Sequence, residues 1–127
     1  MDTYGFLHKG YVKKTVTAVT QASSPYSLTS NQSGQVFTNN GSTASVQFNL
    51  PTITDSDDLG LEYTFVKLTD DNVVIDAAAG EYIADSSSGG QIQNLQAAET
   101  YASITLVSVT TSKWAIAPGA VGTWETV

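Results

Sequence analysis

The sequence predicts an all-β protein: a single β-sandwich or jelly-roll-like domain of about eight short antiparallel strands, preceded by an extended N-terminal arm. Three observations carry that prediction. Two stretches alternate strictly between apolar and polar residues: Val46, Phe48 and Leu50 against Ser45, Gln47 and Asn49, then Leu61, Tyr63 and Phe65 against Glu62 and Thr64. Turn-forming clusters of Asn, Asp, Ser, Gly and Pro recur at short intervals along the chain. No window shows apolar residues at helical spacing. Amphipathic strands of this kind have one dry face each and need a facing sheet to cover it.

Taken in order, Met1 to Ala22 holds Tyr4, Phe6, Leu7, His8, Lys9, Tyr11, Val12, Lys13 and Lys14, with Gly5 and Gly10 breaking any helix. Its apolar anchors have nothing near them in sequence to pack on, which is unlike a solvated tail. Two readings follow. One is a partner-binding arm over residues 1–22 that, fully extended, reaches on the order of 70 Å. The other is a frayed start leading into a first strand at Thr15 to Thr20. The globular body is assigned to residues 23–127, beginning at the joint Ser23-Ser24-Pro25.

Tyr26 to Thr29 and Gln35 to Thr38 read as short strands. Asn39-Asn40-Gly41-Ser42 is a tight-turn signal, because Asn and Gly tolerate positive φ; it predicts a hairpin pairing Val36–Thr38 with Ser45–Leu50. Pro51 ends that strand, and Thr52 to Leu59 is a loop carrying Asp55, Asp57 and Asp58. A long strand spans Leu61 to Leu68, and Asp70-Asp71-Asn72 turns the chain. Val73-Val74-Ile75 is an unbroken apolar run, expected between layers. Short strands at Tyr82-Ile83 and Gln91 to Leu95 flank the low-complexity Ser86-Ser87-Ser88-Gly89-Gly90. Glu99 to Val109 and Lys113 to Ala117 close the body, with Thr110-Thr111-Ser112 between them and Trp124 near the end.

Composition narrows the chemistry. With 127 residues the chain makes one domain. It has no cysteine, which excludes disulfides, a Cys-based zinc site and thiol catalysis. It has no arginine, five lysines and a net charge of −7, a poor match to a phosphate backbone; no nucleic-acid partner is expected. The apolar runs are too short to span a bilayer as a helix, and the start shows no apolar signal-peptide core, so no membrane partner is expected either. Charge is divided unevenly. Residues 1–14 hold three lysines against Asp2, a net +2, whereas residues 15–127 hold two lysines against eleven acids, a net −9.

Candidate sites are few. His8 is the one histidine, and it lies in the arm, so a Ser-His-Asp arrangement would have to reach outside the body. Asp55-Ser56-Asp57-Asp58 offers hard oxygens for calcium but lacks the EF-hand spacing; the competing reading is a solvated loop. Trp114 and Trp124 read either as a sugar-binding platform or as core and interface residues, and the alternation of Trp114 with Ile116 favours the core for the first. The glycine turns match neither a phosphate loop nor a dinucleotide fingerprint. No catalytic residue, cofactor or metal is expected.

The ordered series Gly34-Gln35-Val36-Phe37-Thr38-Asn39, Val46 to Pro51, Gly60 to Val66, Val73 to Asp76, Ile104 to Val109, Lys113-Trp114 and Gly122-Thr123-Trp124 resembles a β-rich module of tailed-phage virion proteins, found in head decoration and in tail or fibre proteins. The resemblance covers residues 26–124. It implies a non-enzymatic component of the virion, commonly a homotrimer. For a capsid decoration, or cement, protein it implies a place on the capsid surface, with the major capsid protein as partner. The arm, with Tyr4, Phe6, Leu7, His8, Lys9, Tyr11, Val12, Lys13 and Lys14, lies outside the shared pattern and is the candidate gripping element. A tail, baseplate or fibre module and a carbohydrate-binding module are the alternatives.

Overall fold

A computed structural model describes residues 13–127. They form eleven strands: β1 (Val16–Ala18), β2 (Tyr26–Ser27), β3 (Val36–Thr38), β4 (Val46–Asn49), β5 (Glu62–Val66), β6 (Val73–Asp76), β7 (Tyr82–Ile83), β8 (Gln91–Asn94), β9 (Ser103–Thr110), β10 (Lys113–Ile116) and β11 (Glu125–Thr126). The only helical pieces among the described residues are three single 3-10 turns, at Gln21–Ser23, Ser30–Gln32 and Ser56–Asp58. The all-β expectation holds. The count of about eight strands was low, because β1 and the two-residue β11 carry almost no apolar pattern of their own.

Two sheets result. The six-stranded sheet runs β1-β3-β5-β9-β10-β7, and the five-stranded sheet runs β11-β8-β6-β4-β2. From β1 to β8 every strand leaves one sheet for the other; along β1, β3 and β5 and along β2, β4, β6 and β8 each strand's neighbour is the next strand but one, whereas β7 lies at the far edge of its sheet, parallel to β10. In β1, β3 and β5 and in β2, β4 and β6 the two crossings restore the chain's direction, and these neighbours lie parallel; β8 returns beside β6 antiparallel. Val16 thus pairs with Val36, and Val36 with Thr64, in parallel register along β1, β3 and β5. Tyr26 pairs with Phe48, and Phe48 with Ile75, along β2, β4 and β6. Antiparallel pairing is confined to β5 with β9, β9 with β10, β6 with β8, and β8 with β11. The expectation of an antiparallel sheet is therefore corrected to a mixed one.

The predicted hairpin between Val36–Thr38 and Ser45–Leu50 is likewise corrected. The tight turn exists: the Ser42 N–H donates to Asn39 O at 3.0 Å, and Gly41 takes φ +86°. It nonetheless carries the chain from one sheet into the other. Phe37 on β3 and Phe48 on β4 are both fully buried, with ring centroids 6.0 Å apart at an edge-to-face angle of 61°. A local hairpin would have set these rings side by side on one sheet and left the opposite sheet without its aromatics. The larger contact area of facing rings overrides the turn signal. Phe65 completes the stack, 5.1 Å from Phe48 and 6.0 Å from Phe37. Tyr63 joins it to Trp114 at 5.9 Å.

The core draws side chains from both sheets, and strand parity decides which. Tyr63 and Phe65 on β5, Val73 and Ile75 on β6, Ile92 on β8, and Ile104 and Leu106 on β9 are buried, while their neighbours in sequence are half-exposed. The run Val73-Val74-Ile75 follows the same rule: Val74 is only half-buried, so the run is not enclosed on both faces as its composition predicted. Leu61 and Trp124 pack against the core from its margin.

Residues 16–18, within the stretch read as arm, are built into the sheet as β1. The Val36 N–H donates to Thr15 O at 2.9 Å, and the Val19 N–H to Thr38 O at 2.8 Å. The alternative reading of Thr15 to Thr20 as a first strand thus describes this part of the chain.

Removing a ring from the centre of this stack leaves a void that short strands cannot close. Phe48→Ala is expected to lower stability by about 3–5 kcal/mol, read as a fall in the urea midpoint at unchanged slope. A loss under about 1 kcal/mol would mean that the two sheets do not share this core.

Candidate functional site

Of the residues assigned to the arm, Tyr4, Phe6, Leu7, His8, Lys9, Tyr11 and Val12 lie outside the described residues. Lys13 and Lys14 are described and exposed, immediately before β1. β1 is the terminal strand of its sheet, so the two ammonium groups stand at a sheet edge. Nothing in the described structure gathers them with other side chains.

The acidic loop holds its own shape. Asp55 Oδ1 accepts from the Asp57 N–H at 2.9 Å, capping the 3-10 turn. Asp58 Oδ2 accepts from the Thr54 N–H at 2.8 Å and from the Thr54 hydroxyl at 2.5 Å. The Thr54 hydroxyl bond, followed by the Thr54 backbone bond, holds the Asp58 carboxyl below its usual range. Both carboxylates are engaged with their own loop. Among the described residues no group of three or more His, Cys, Asp or Glu is placed to hold a metal ion.

The indoles do not form a platform. Trp114 is 1% exposed. Its Nε1–H donates to Glu81 Oε1 at 3.2 Å. Trp124 is half-buried, and its Nε1–H donates to Val121 O at 2.9 Å.

What sequence reasoning missed is a set of buried polar side chains at the strand ends. Glu81, 4% exposed, accepts from the Ile53 N–H at 2.7 Å through Oε2 while Oε1 takes the Trp114 indole. It ties the loop after β4 to the six-stranded sheet. Asn39 is fully buried: its Oδ1 accepts from the Leu68 and Thr69 N–H groups at 2.7 and 3.2 Å, and its Nδ2 donates to Thr69 Oγ1 at 2.9 Å. The Ser108 hydroxyl donates to Asp58 O at 2.6 Å and accepts from the Leu61 N–H at 2.9 Å. Each group satisfies backbone that the short strands leave unpaired.

The fourth such cluster joins the two sheets. Lys67, one residue past β5, and Asn94, the last residue of β8, are both 0% exposed. Lys67 Nζ donates to Asn94 Oδ1 at 3.3 Å and to the Gln96 carbonyl. Asn94 Oδ1 also accepts from the Gln96 N–H at 3.0 Å, and Asn94 Nδ2 donates to Glu99 Oε1 at 2.9 Å. Glu99 is fixed from its other side by Thr123, whose N–H reaches Oε1 at 2.6 Å and whose hydroxyl reaches Oε2 at 2.7 Å. The Thr123 bonds, then the Asn94 bond, hold the Glu99 carboxyl below its usual range. Gly122 makes the approach possible: a Cβ there would stand 2.9 Å from Glu99 Oε1 and 2.7 Å from Ala102 Cβ.

A signal for these positions was available. Lys67 continues the inward parity of Tyr63 and Phe65, Asn94 that of Ile92, Asn39 that of Phe37, and Glu81 leads into Ile83. Polar residues in step with a core face are carried inward by the backbone, here even one residue beyond the end of the strand.

No protein-family model and no curated protein matches the chain.

Two measurements test this account. Glu81→Gln replaces one acceptor oxygen with an amide NH2, which sets donor against donor at Ile53 or Trp114. The expected loss is about 1–3 kcal/mol in urea unfolding; an unchanged midpoint would show that the carboxyl does not hold both groups. The second is pH dependence. Asp58 is depressed in the folded state relative to its usual 3.8, so its contribution is complete above that value and is lost as pH falls through the folded one. Asp58→Asn is expected to flatten the acid limb of the urea midpoint against pH, and an unaltered limb would count against the Thr54 bonds.

Proposed function

We propose that this protein is a non-enzymatic structural component of a virion, a capsid decoration protein that docks on neighbouring major capsid subunits through its N-terminal arm and assembles as a homotrimer at the capsid surface. The observation that carries this reading is the division of the chain into two unlike parts. Residues 1–14 are net positive and rich in apolar anchors, whereas the remainder is net −9. That acidic remainder buries Phe37, Phe48, Tyr63, Phe65 and Trp114, and of its aromatics only Tyr101 is largely exposed. The resemblance of the strand series to virion modules points the same way.

In this reading the two sheets form a β-sandwich that acts as a rigid, acidic spacer. Lys13 and Lys14 mark where the arm leaves the sheet edge. Burying Phe6, Leu7 and Tyr11 on a partner contributes roughly 1.5–3 kcal/mol each before ordering costs. Three linked arms multiply that modest affinity through effective concentration. A tail or fibre module has the same architecture and differs in stoichiometry, a handful of copies per particle against hundreds.

Deleting residues 1–12 leaves β1 in place. The shortened protein is expected to keep its circular dichroism and unfolding midpoint and to lose cosedimentation with particles that bind the full chain. Undiminished cosedimentation would remove the arm from the proposal, and a copy number of a few per particle would move the protein from head to tail.

A further inference from the structure

The cluster at Lys67, Asn94 and Glu99 contains every group needed for an amide exchange: Lys67 and Asn94 are fully buried and hydrogen-bonded, and Asn94 in turn touches the partly exposed Glu99 carboxylate. We propose that Lys67 Nζ attacks Asn94 Cγ, giving an intramolecular isopeptide bond between the two sheets.

The geometry supplies each part. The attacking nitrogen is 3.3 Å from Asn94 Oδ1, one covalent bond from the carbon it must reach. Oδ1, where negative charge develops as the carbon becomes tetrahedral, already accepts the Gln96 N–H at 3.0 Å. The leaving nitrogen, Nδ2, lies 2.9 Å from Glu99 Oε1. Thr123 and the close approach at Gly122 fix that carboxylate in place.

The step balances without any further reactant. Neutral Lys67 Nζ adds to Cγ, and one of its protons passes to the Glu99 carboxylate. Glu99 delivers that proton to Nδ2, the Cγ–Nδ2 bond breaks, and ammonia leaves. The Cγ–Nζ amide remains, and Glu99 returns to its starting form. Nothing is oxidised or reduced, and the reaction occurs once per chain. Burial favours the neutral amine: desolvation of Lys67 lowers its pKa from the usual lysine value, against the opposing charges of Glu99, Asp70 and Asp71. A carboxylate next to a buried amine has an ordinary structural use as an ion pair. Here Asn94 stands between the two, and that interposition sets the arrangement apart from a salt bridge.

The test is the covalent state of the full-length purified protein. Its denatured mass is expected to fall short of the sequence mass by one ammonia. Trypsin is expected to spare the Lys67–Leu68 bond, and chymotrypsin to release a branched peptide carrying both Lys67 and Asn94. Lys67→Arg and Glu99→Gln are each expected to show the full sequence mass, with Glu99→Gln keeping the wild-type circular dichroism. Full mass in the folded wild type overturns the proposal. So does an ammonia loss that persists in Lys67→Arg, or one that maps to Asn94 with no branched peptide, since both signify cyclisation of the asparagine on its own backbone. The wild-type measurement needs no variant to fold.

Discussion

The contact of Phe37 with Phe48 sets the path of the chain. These rings sit on consecutive strands, 6.0 Å apart, and they belong to different sheets. With consecutive strands facing each other across a core, the next strand returns to the first sheet, and from β1 to β6 it arrives parallel to the strand it joins. The parallel ladders of β1, β3 and β5 and of β2, β4 and β6 follow from repeating that crossing. Only where the pattern stops, at the β9–β10 hairpin, does the chain pair with its immediate neighbour. Thr111 and Ser112 form that turn, and the wide faces of Ile104, Leu106 and Trp114 all point inward without a crossing.

This explains what the sequence could and could not reveal. Strand positions were legible, because burial follows parity: Val46 and Phe48, Tyr63 and Phe65, and Ile104 and Leu106 read inward from composition alone. Pairing was not legible. Asn40-Gly41 specifies a tight reversal, and a reversal is equally compatible with a hairpin in one sheet and with a crossing between two. The choice belongs to Phe37, Phe48 and Phe65 jointly, residues far apart in sequence. β11 was missed for a related reason. Glu125 and Thr126 pair with Gln93 and Ile92 through backbone alone and bury nothing apolar that a pattern could display.

The buried polar residues have a common origin. Strands this short end while the chain is still inside the molecule, so the position after the last strand residue keeps the inward parity with no ladder partner. Asn39 and Lys67 occupy such positions after β3 and β5, Glu81 the matching one before β7, and each hydrogen-bonds backbone from another segment. For Asn39 and Glu81 the requirement is met completely by neutral N–H donors. Amide and carboxyl oxygens are what such donors need, and the polar identity of these residues is explained by that alone.

Lys67 is not explained in the same way. An ammonium group brings three donors and a charge into a place where one carbonyl and one side-chain amide oxygen wait, and its burial disfavours the charge. A methionine or leucine at this position would fill the volume without that cost, and an ion pair would put the carboxylate in direct contact. Asn94 between Lys67 and Glu99 meets neither description. Conversion of the pair to an amide removes the difficulty: the charge is gone, Nζ keeps a single N–H, and the link closes the chain from Lys67 to Asn94 across both sheets. In a chain without cysteine, it is also a covalent tie that the composition permits.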